Sequence, residues 1–126
     1  MTSADPRVID LAVLAKMVGN DPAKIRKFSL KFLESTERGM VEIETALEKN
    51  DWAALAALGH RIKSAAGSVG AIGFADLCHA LEQLREGGNV EQAREIVAQL
   101  HPLLGRIKEQ IGYSHGVVKP ETQEGK

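Results

Sequence analysis

The chain has 126 residues, of which 44% are hydrophobic and 26% are charged, proportions that are ordinary for a globular domain in water. This length is sufficient for one domain with its own hydrophobic core. The formal net charge of −1 argues against non-specific binding to nucleic acid, which requires a basic excess. Aromatic residues make up 4% of the chain and do not stand in rows on which bases would stack.

Cysteine content and the N-terminus predict the compartment. Cys78 is the single cysteine, so an internal disulfide is excluded and a reducing compartment is expected. The first residues have neither the basic start nor the apolar stretch of a secretory signal. No segment approaches the ~20 apolar residues that span a bilayer. We therefore expect a cytoplasmic protein with no membrane partner.

Hydrophobic periodicity predicts five helices, near residues 8–18, 22–49, 52–69, 74–87 and 90–111. Asp21, Asp51 and Asn89 precede three of these segments and are typical N-cap residues. Gly87 and Gly88 are expected to close the fourth helix, and Pro102 is expected to kink the last one.

The turn between the third and fourth predicted helices is assigned to residues 70–73, because this segment contains two glycines. In the second helix, Phe28 and Phe32 fall on the face that the periodicity directs toward the core. No alternating strand pattern is present in the sequence.

The predicted fold is therefore all-α: an antiparallel four-helix bundle with a short additional N-terminal helix. The bundle domain is expected to occupy residues 8–112. Residues 1–7 form a polar lead-in, and residues 113–126, which have no period and little to bury, are expected to be a disordered tail or a linker stub.

His60 has unusual surroundings on the third helix. Each residue of an α-helix is rotated by about 100° from the one before it, so His60 points roughly 160° away from the middle of the apolar stripe. This stripe consists of Leu55, Leu58, Ile62, Ala65, Ala66 and Val69. Its own side of the helix carries mainly small residues: Ala53, Ala56, Ala57, Ser64 and Gly67. The exception is Lys63, one turn further on.

Glycine inside a helix costs about 1 kcal/mol relative to alanine, yet Gly59 and Gly67 lie on either side of the histidine. One explanation is that small residues admit a neighbouring helix and that His60 is an incidental surface residue. The small residues around His60 form what we call the cleared face. Together with the lysine at i+3 and the glycine at i+7, this face favours a functional histidine instead.

Residues 60–71 read His-Arg-Ile-Lys-Ser-Ala-Ala-Gly-Ser-Val-Gly-Ala, which resembles the signature of histidine-containing phosphotransfer (HPt) domains. The resemblance extends in spacing and helix order from about residue 8 to 111. It departs at Ser64, where the family more often has glycine. The resemblance implies the same four-helix bundle that the periodicity predicts.

The residues around His60 suit a phosphoryl carrier. Neutral imidazole is a good nucleophile near pH 7, and phosphoryl transfer depends mainly on positioning and electrostatics. Lys63 would supply a nearby cation, while the small residues Ser64, Gly67 and Ser68 would leave room for a partner's active site. The Ser64 hydroxyl either donates a hydrogen bond to a phosphoryl oxygen or is a plain spacer.

The resemblance implies a role for Glu82. Family members often place Gln or Glu nearby, bonded to the ring nitrogen that is not phosphorylated. Periodicity alone makes Glu82 a surface carboxylate on the flank of the fourth helix. Arg61 and Arg85 would add positive potential for an acidic partner, although charges on helix surfaces are usually only solvated.

The other histidines, His79, His101 and His115, form no metal-ligand spacing with each other or with cysteine. His79 is assigned to the polar face of the fourth helix among large neighbours. No phosphate-binding Gly-rich loop is present, so we expect a phosphoryl carrier without its own nucleotide site rather than an enzyme. The pattern around the phosphorylated histidine of sensor-kinase dimerisation helices does not fit residues 61–63.

The resemblance thus implies a monomeric phosphorelay intermediate. His60 would accept a phosphoryl group from a receiver-domain aspartate, or from a kinase, and pass it to a response-regulator receiver aspartate. The expected partners are receiver domains and a hybrid sensor kinase, with Mg²⁺ supplied by the receiver and no cofactor bound by this chain. The alternative is a non-catalytic adaptor bundle that docks a partner through its small-residue face. Both a free-standing protein and a domain of a hybrid kinase fit the sequence.

Overall fold

The computed structural model describes residues 9–115, with side chains described for residues 9–112. It contains five helices: α1 (Leu11–Met17), α2 (Pro22–Glu48), α3 (Trp52–Ser68), α4 (Ile72–Glu82) and α5 (Val90–His115). No strand occurs in residues 9–115, so the predicted all-α bundle with a short N-terminal helix is confirmed. Within the same range, no helix has the length and apolar character needed to cross a membrane.

The predicted N-caps are confirmed. The Asp21 carboxylate accepts a hydrogen bond from the backbone N–H of Ala23 at 3.0 Å, and Asp51 accepts one from Ala54 at 3.1 Å. The Asn89 side-chain oxygen accepts from the backbone N–H of Glu91 at 2.7 Å. Each side chain thereby satisfies an N–H group that has no partner inside its helix.

The predicted start of α4 was two residues late. Ile72 and Gly73 belong to its first turn, and the reversal after α3 uses Gly70, whose φ is +80°. A side chain at Gly70 would also collide with the carbonyl oxygen of Asp10. The Asp10 backbone N–H donates to Gly70 O at 3.0 Å, so this glycine both turns the chain and docks the segment before α1.

The predicted end of α4 at residue 87 was also wrong. The helix ends at Glu82 and residues 83–87 form turns, in which the Arg85 N–H donates to Glu82 O at 3.3 Å and the Gly87 N–H to Leu84 O at 3.0 Å. Leu84 is buried beyond the helix end, so it continues the apolar period and conceals the boundary in the sequence.

Helix α5 passes through Pro102 without interruption, although proline provides no N–H for the carbonyl one turn earlier. It also continues to His115, beyond the predicted end at residue 111. The first three residues of the predicted tail are therefore helical. The rest of that tail and the predicted lead-in over residues 1–7 lie outside the described residues.

The core lies between α2, α3, α4 and α5, with α3 packed on α2 and α4, and α5 packed on the same two helices. Two glycines allow α3 to approach its neighbours closely. A Cβ at Gly39 would lie 2.7 Å from Ile62 Cδ1, and one at Gly59 would lie 2.6 Å from the Cys78 carbonyl oxygen. The explanation of Gly59 by helix packing, given as the alternative above, is thus the correct one for this residue.

Two expectations about exposure were wrong. Phe28, predicted to face the core, is 40% exposed, because α1 is only seven residues long and covers only part of α2. Ala56, assigned to the cleared face around His60, is fully buried. Ala53 and Ala57 on that face are exposed as predicted.

The two glycines beside His60 give a direct test of the packing. Gly59→Ala should destabilise the bundle by about 1–3 kcal/mol, the usual cost of overpacking, since its Cβ would meet the α4 backbone. Gly67→Ala should be neutral or stabilising by up to about 1 kcal/mol, because no described atom beyond its own helical turn lies within 4 Å of its Cβ position. Urea denaturation of both variants measures the difference, and equal effects would contradict it.

Candidate functional site

His60 lies in the middle of α3 with its side chain 64% exposed. Its Nδ1 lies 2.7 Å from Oε2 of Glu82, the last residue of α4. The two residues are 22 positions apart in the chain, and the approach at Gly59 brings them together, because a Cβ there would lie 3.2 Å from the Glu82 backbone nitrogen. The pairing that the resemblance implied for Glu82 is therefore present in the structure.

This hydrogen bond fixes the tautomer of the imidazole. A carboxylate only accepts hydrogen bonds, so in the neutral imidazole Nδ1 carries the proton and Nε2 carries the lone pair. No other described residue makes a hydrogen bond to the His60 ring. Nε2 is thus the ring nitrogen that has no hydrogen-bond partner among the described residues, on an exposed side chain.

Lys63 contacts the same carboxylate rather than the imidazole. Its Nζ donates to Glu82 Oε1 at 2.6 Å, and its side chain is 30% exposed. Each oxygen of Glu82 therefore has its own donor. Lys63, which the sequence predicts as a cation for His60, therefore forms its ion pair with the carboxylate that contacts the ring.

These two donors also control the ionisation of Glu82. The hydrogen bond from Lys63, followed by that from His60, lowers the pKa of the Glu82 carboxyl to about 2. The carboxylate is therefore ionised near neutral pH and keeps both of its acceptor oxygens.

His79, predicted on the polar face of the fourth helix among large neighbours, also belongs to this cluster. Its Nδ1 lies 3.4 Å from Lys63 Nζ and 3.6 Å from Glu82 Oε1. The Gln83 side-chain nitrogen lies 3.3 Å from His79 Nε2. The spacing of His79 and Glu82, three residues apart on one helix, is the sequence signal that places both on one face.

The small residues beyond His60 differ in what they do. The Ser64 hydroxyl donates to the His60 carbonyl at 3.3 Å, and the Ser68 hydroxyl donates to the Ala65 carbonyl at 2.8 Å. Both hydroxyls are therefore engaged by the α3 backbone. Gly67 faces open space and leaves the surface clear two turns after His60.

The two candidate docking arginines lie apart from the Glu82 cluster. Arg61 faces α2, where its Nη2 is 3.9 Å from Glu42 Oε2. Arg85 is exposed in the turn after α4. Neither side chain contacts the His60 ring by a hydrogen bond.

Within the part of the chain that the structure describes, the remaining candidates form no second site. His101 Nε2 lies 2.6 Å from Glu44 Oε2, between α5 and α2, and only the backbone of His115 is described. Cys78 is buried, which raises the pKa of its thiol to about 12 and keeps it uncharged. Among the described residues, no group of three or more potential ligands is placed to hold a metal ion.

The comparisons with known proteins agree with this geometry. A model of the Hpt domain matches residues 28–110, about two thirds of the chain. The chain therefore belongs to the Hpt domain family. The matched range includes His60, Lys63 and Glu82.

The fold is similar to the crystal structure of histidine-containing phosphotransfer protein B (HptB) from Pseudomonas aeruginosa PAO1, with a TM-score of 0.81 and 19% sequence identity. The superposition covers 91% of this chain and 100% of the HptB chain. A comparison with curated protein sequences finds no match. Membership of the family gives the chain a phosphotransfer role in two-component signalling, as a phosphocarrier rather than a classical enzyme.

The ionisation of Glu82 is testable by pH titration. Followed by carboxyl NMR, Glu82 should titrate near pH 2, well below the ordinary glutamate pKa of about 4.3. Because the folded pKa is the lower one, this contribution to stability is complete above pH ~4.3 and is lost as pH falls toward 2.

Lys63→Met should move the pKa of Glu82 upward, since the lysine hydrogen bond is the largest cause of its depression. Titration of Glu82 at the ordinary glutamate pKa of about 4.3 in the parent protein would show that the cluster does not form.

Proposed function

We propose that the chain is a phosphorelay intermediate in which His60 Nε2 accepts a phosphoryl group from the aspartate of a receiver domain, or from a kinase, and passes it to a response-regulator receiver aspartate. The observation that carries the proposal is the 2.7 Å contact between Nδ1 of His60 and Glu82. It leaves an unprotonated, exposed Nε2 on a member of a phosphotransfer family.

The chemistry needs no proton transfer at the attacking atom. The Nε2 lone pair attacks the phosphorus of an aspartyl phosphate, so an N–P bond forms while the P–O bond to the aspartate carboxylate breaks. Nδ1 keeps its proton, and the phosphorylated ring therefore carries a positive charge. The Glu82 carboxylate faces that charge across an existing hydrogen bond, and the reverse reaction restores the starting tautomer.

In this proposal, Lys63 reduces the electrostatic repulsion between the site and an anionic phosphoryl group. An unpaired Glu82 carboxylate would repel an incoming phosphoryl group, whereas the ion pair with Lys63 at 2.6 Å cancels its charge. Attraction and repulsion between partly exposed charges are weak, because water screens them. In this proposal Lys63 therefore acts on the reaction through Glu82.

The partners of the relay follow from the same chemistry. Receiver domains and a hybrid sensor kinase would supply the phosphoryl group and the Mg²⁺, while this chain contributes the imidazole, its orienting carboxylate and a clear surface. It would act as a monomer in the cytoplasm, with no cofactor of its own.

The decisive experiment is labelling from a panel of receiver domains phosphorylated on aspartate. His60→Gln should abolish phosphate incorporation, whereas His101→Gln, which alters another histidine that contacts a glutamate, should label normally. The bond formed should be stable to base and labile to acid, as expected for an N–P bond. Labelling of His60→Gln at the parental rate would overturn the proposal, and partner binding without any labelling would support the adaptor alternative.

The role of Lys63 is separable from that of the nucleophile. Lys63→Ala should slow transfer about fivefold, the change equivalent to about 1 kcal/mol, because Glu82 loses its neutralising partner. Adding Glu82→Gln to this variant should recover part of the rate, since a neutral amide does not repel the phosphoryl group. Stopped-flow or quenched-flow transfer rates provide the measurement, and a further loss of rate in the double variant would exclude charge neutralisation.

A further inference from the structure

His79 is a titratable side chain at the site to which the proposed phosphoryl transfer assigns no role. Its described polar contacts all lie within the cluster around Glu82. Its Nδ1 is 3.4 Å from Lys63 Nζ and 3.6 Å from Glu82 Oε1, and its Nε2 is 3.3 Å from the side-chain nitrogen of Gln83. Histidine side chains ordinarily gain or lose a proton between about pH 5 and 8. Because His79 is 55% exposed, solvent protons reach it directly.

The charged groups that face His79 come from two helices. Lys63 approaches from α3, and Glu82 lies one turn further along α4. Asp76 is exposed one turn earlier on α4. The other helix packed on α4 is α5, and none of its described residues forms a hydrogen bond or an ion pair with His79. The charge of His79 is therefore felt first by Lys63 and Glu82.

The neutral ring favours the arrangement in which Lys63 lies on Glu82. An ammonium group only donates hydrogen bonds, so the contact with Lys63 Nζ requires a lone pair on Nδ1 of His79. The proton is then on Nε2, and a 180° rotation of the Gln83 amide places its oxygen there as the acceptor. The Lys63 ammonium thus has two acceptors, His79 Nδ1 and Glu82 Oε1, and both hold it in the cluster.

Protonation of Nδ1 reverses the first of these contacts. Two cations then lie 3.4 Å apart, and the imidazolium N–H competes for the oxygen to which Lys63 donates. Glu82 gains a second charged donor, so it no longer depends on the lysine for neutralisation. The Lys63 side chain is a flexible four-carbon stem and is 30% exposed. Protonation of His79 therefore weakens the hold of the cluster on Lys63.

A phosphoryl group on His60 offers Lys63 another partner. Lys63 lies one turn after His60 on α3 and on the same side of this helix. Phosphoryl oxygens form strong, charge-assisted hydrogen bonds with ammonium groups. Before phosphorylation, Glu82 is the acid that pairs with Lys63 among the described residues. A proton on His79 and a phosphoryl group on His60 therefore favour each other, and this coupling is reciprocal.

We infer that His79 is a positioning residue that couples proton uptake to phosphorylation of His60: the neutral ring holds Lys63 on Glu82, and the protonated ring takes the place of the lysine and releases it to the phosphoryl group. This inference rests on the proposed function and gives the same site a response to pH. His79 forms no hydrogen bond with the His60 ring among the described contacts, so it acts through Lys63 and Glu82.

The test uses His79→Gln at an exposed position. Glutamine keeps a side-chain acceptor for Lys63 but does not titrate. The matched control is His101→Gln, which removes a histidine that contacts Glu44 between α2 and α5. His60 is phosphorylated from phosphoramidate, so no partner protein is needed. In this reaction the P–N bond of the reagent breaks, a P–N bond to His60 Nε2 forms, and ammonia leaves.

Initial rates are measured between about pH 5.5 and 8, the range in which histidine changes its charge. Dividing the parent rate by the rate of His79→Gln cancels the titration of His60, which both proteins contain. This ratio should rise about threefold as the pH falls across the range, a factor typical of one partly exposed charge pair. The ratio of the parent rate to that of His101→Gln should stay constant.

The Lys63→Met background separates the release of the lysine from a direct effect of charge. The rate of Lys63→Met divided by that of Lys63→Met with His79→Gln should not vary with pH, because no ammonium remains to be released. A pH dependence that survives without Lys63 would show that His79 acts on His60 directly through its charge, and the inference would be wrong.

A constant ratio of the parent rate to that of His79→Gln would also overturn the inference, while the labelling of His60 in the same experiment would leave the proposed function intact. Failure of phosphoramidate and of every receiver domain to label the parent protein at His60 is a different result. It would refute the proposed function itself.

Discussion

The close approach of α3 and α4 at Gly59 is the constraint on which the site depends. A Cβ at this position would lie 2.6 Å from the Cys78 carbonyl oxygen and 3.2 Å from the Glu82 nitrogen, so α4 comes this near only because the side chain is absent. The Glu82 side chain then reaches both His60 and Lys63 from the end of α4. Glycine in the interior of α3 costs about 1 kcal/mol of helix stability, but it allows the Glu82 carboxylate to lie beside the histidine.

The sequence was informative where one helix determines the geometry. The spacing of His60 and Lys63 on α3 follows from helical periodicity, and the observed helix confirms that both lie on one side. The contact with Glu82 joins two helices, so its prediction required information on how α3 and α4 pack. Periodicity alone described Glu82 as a surface carboxylate, and only the family resemblance placed it near the imidazole. His79 was missed for the same reason, since its nearness to Lys63 depends on which face of α4 meets α3.

The wrong boundaries and exposures also have physical causes. Leu84 is buried but lies beyond the end of α4, and a turn that buries an apolar residue reads like a continued helix. Phe28 falls on the periodic apolar face of α2, yet no helix of sufficient length covers it. Periodicity reports which face of a helix is apolar, and whether that face is covered by the chain itself or by a partner depends on the lengths of the other elements.

The exposure of the cluster suits a carrier better than burial would. His60, Lys63 and Glu82 are between 26% and 64% exposed, so water screens their mutual attraction. If the cluster were buried away from water, Glu82 would attract a positively charged phosphorylated ring more strongly. The phosphorylated histidine would then be more stable, and transfer of the phosphoryl group from it would be slower. On the proposed function, the group arrives from one aspartate and departs to another. Weak, solvent-screened orientation of the imidazole therefore favours both the arrival and the departure of the phosphoryl group.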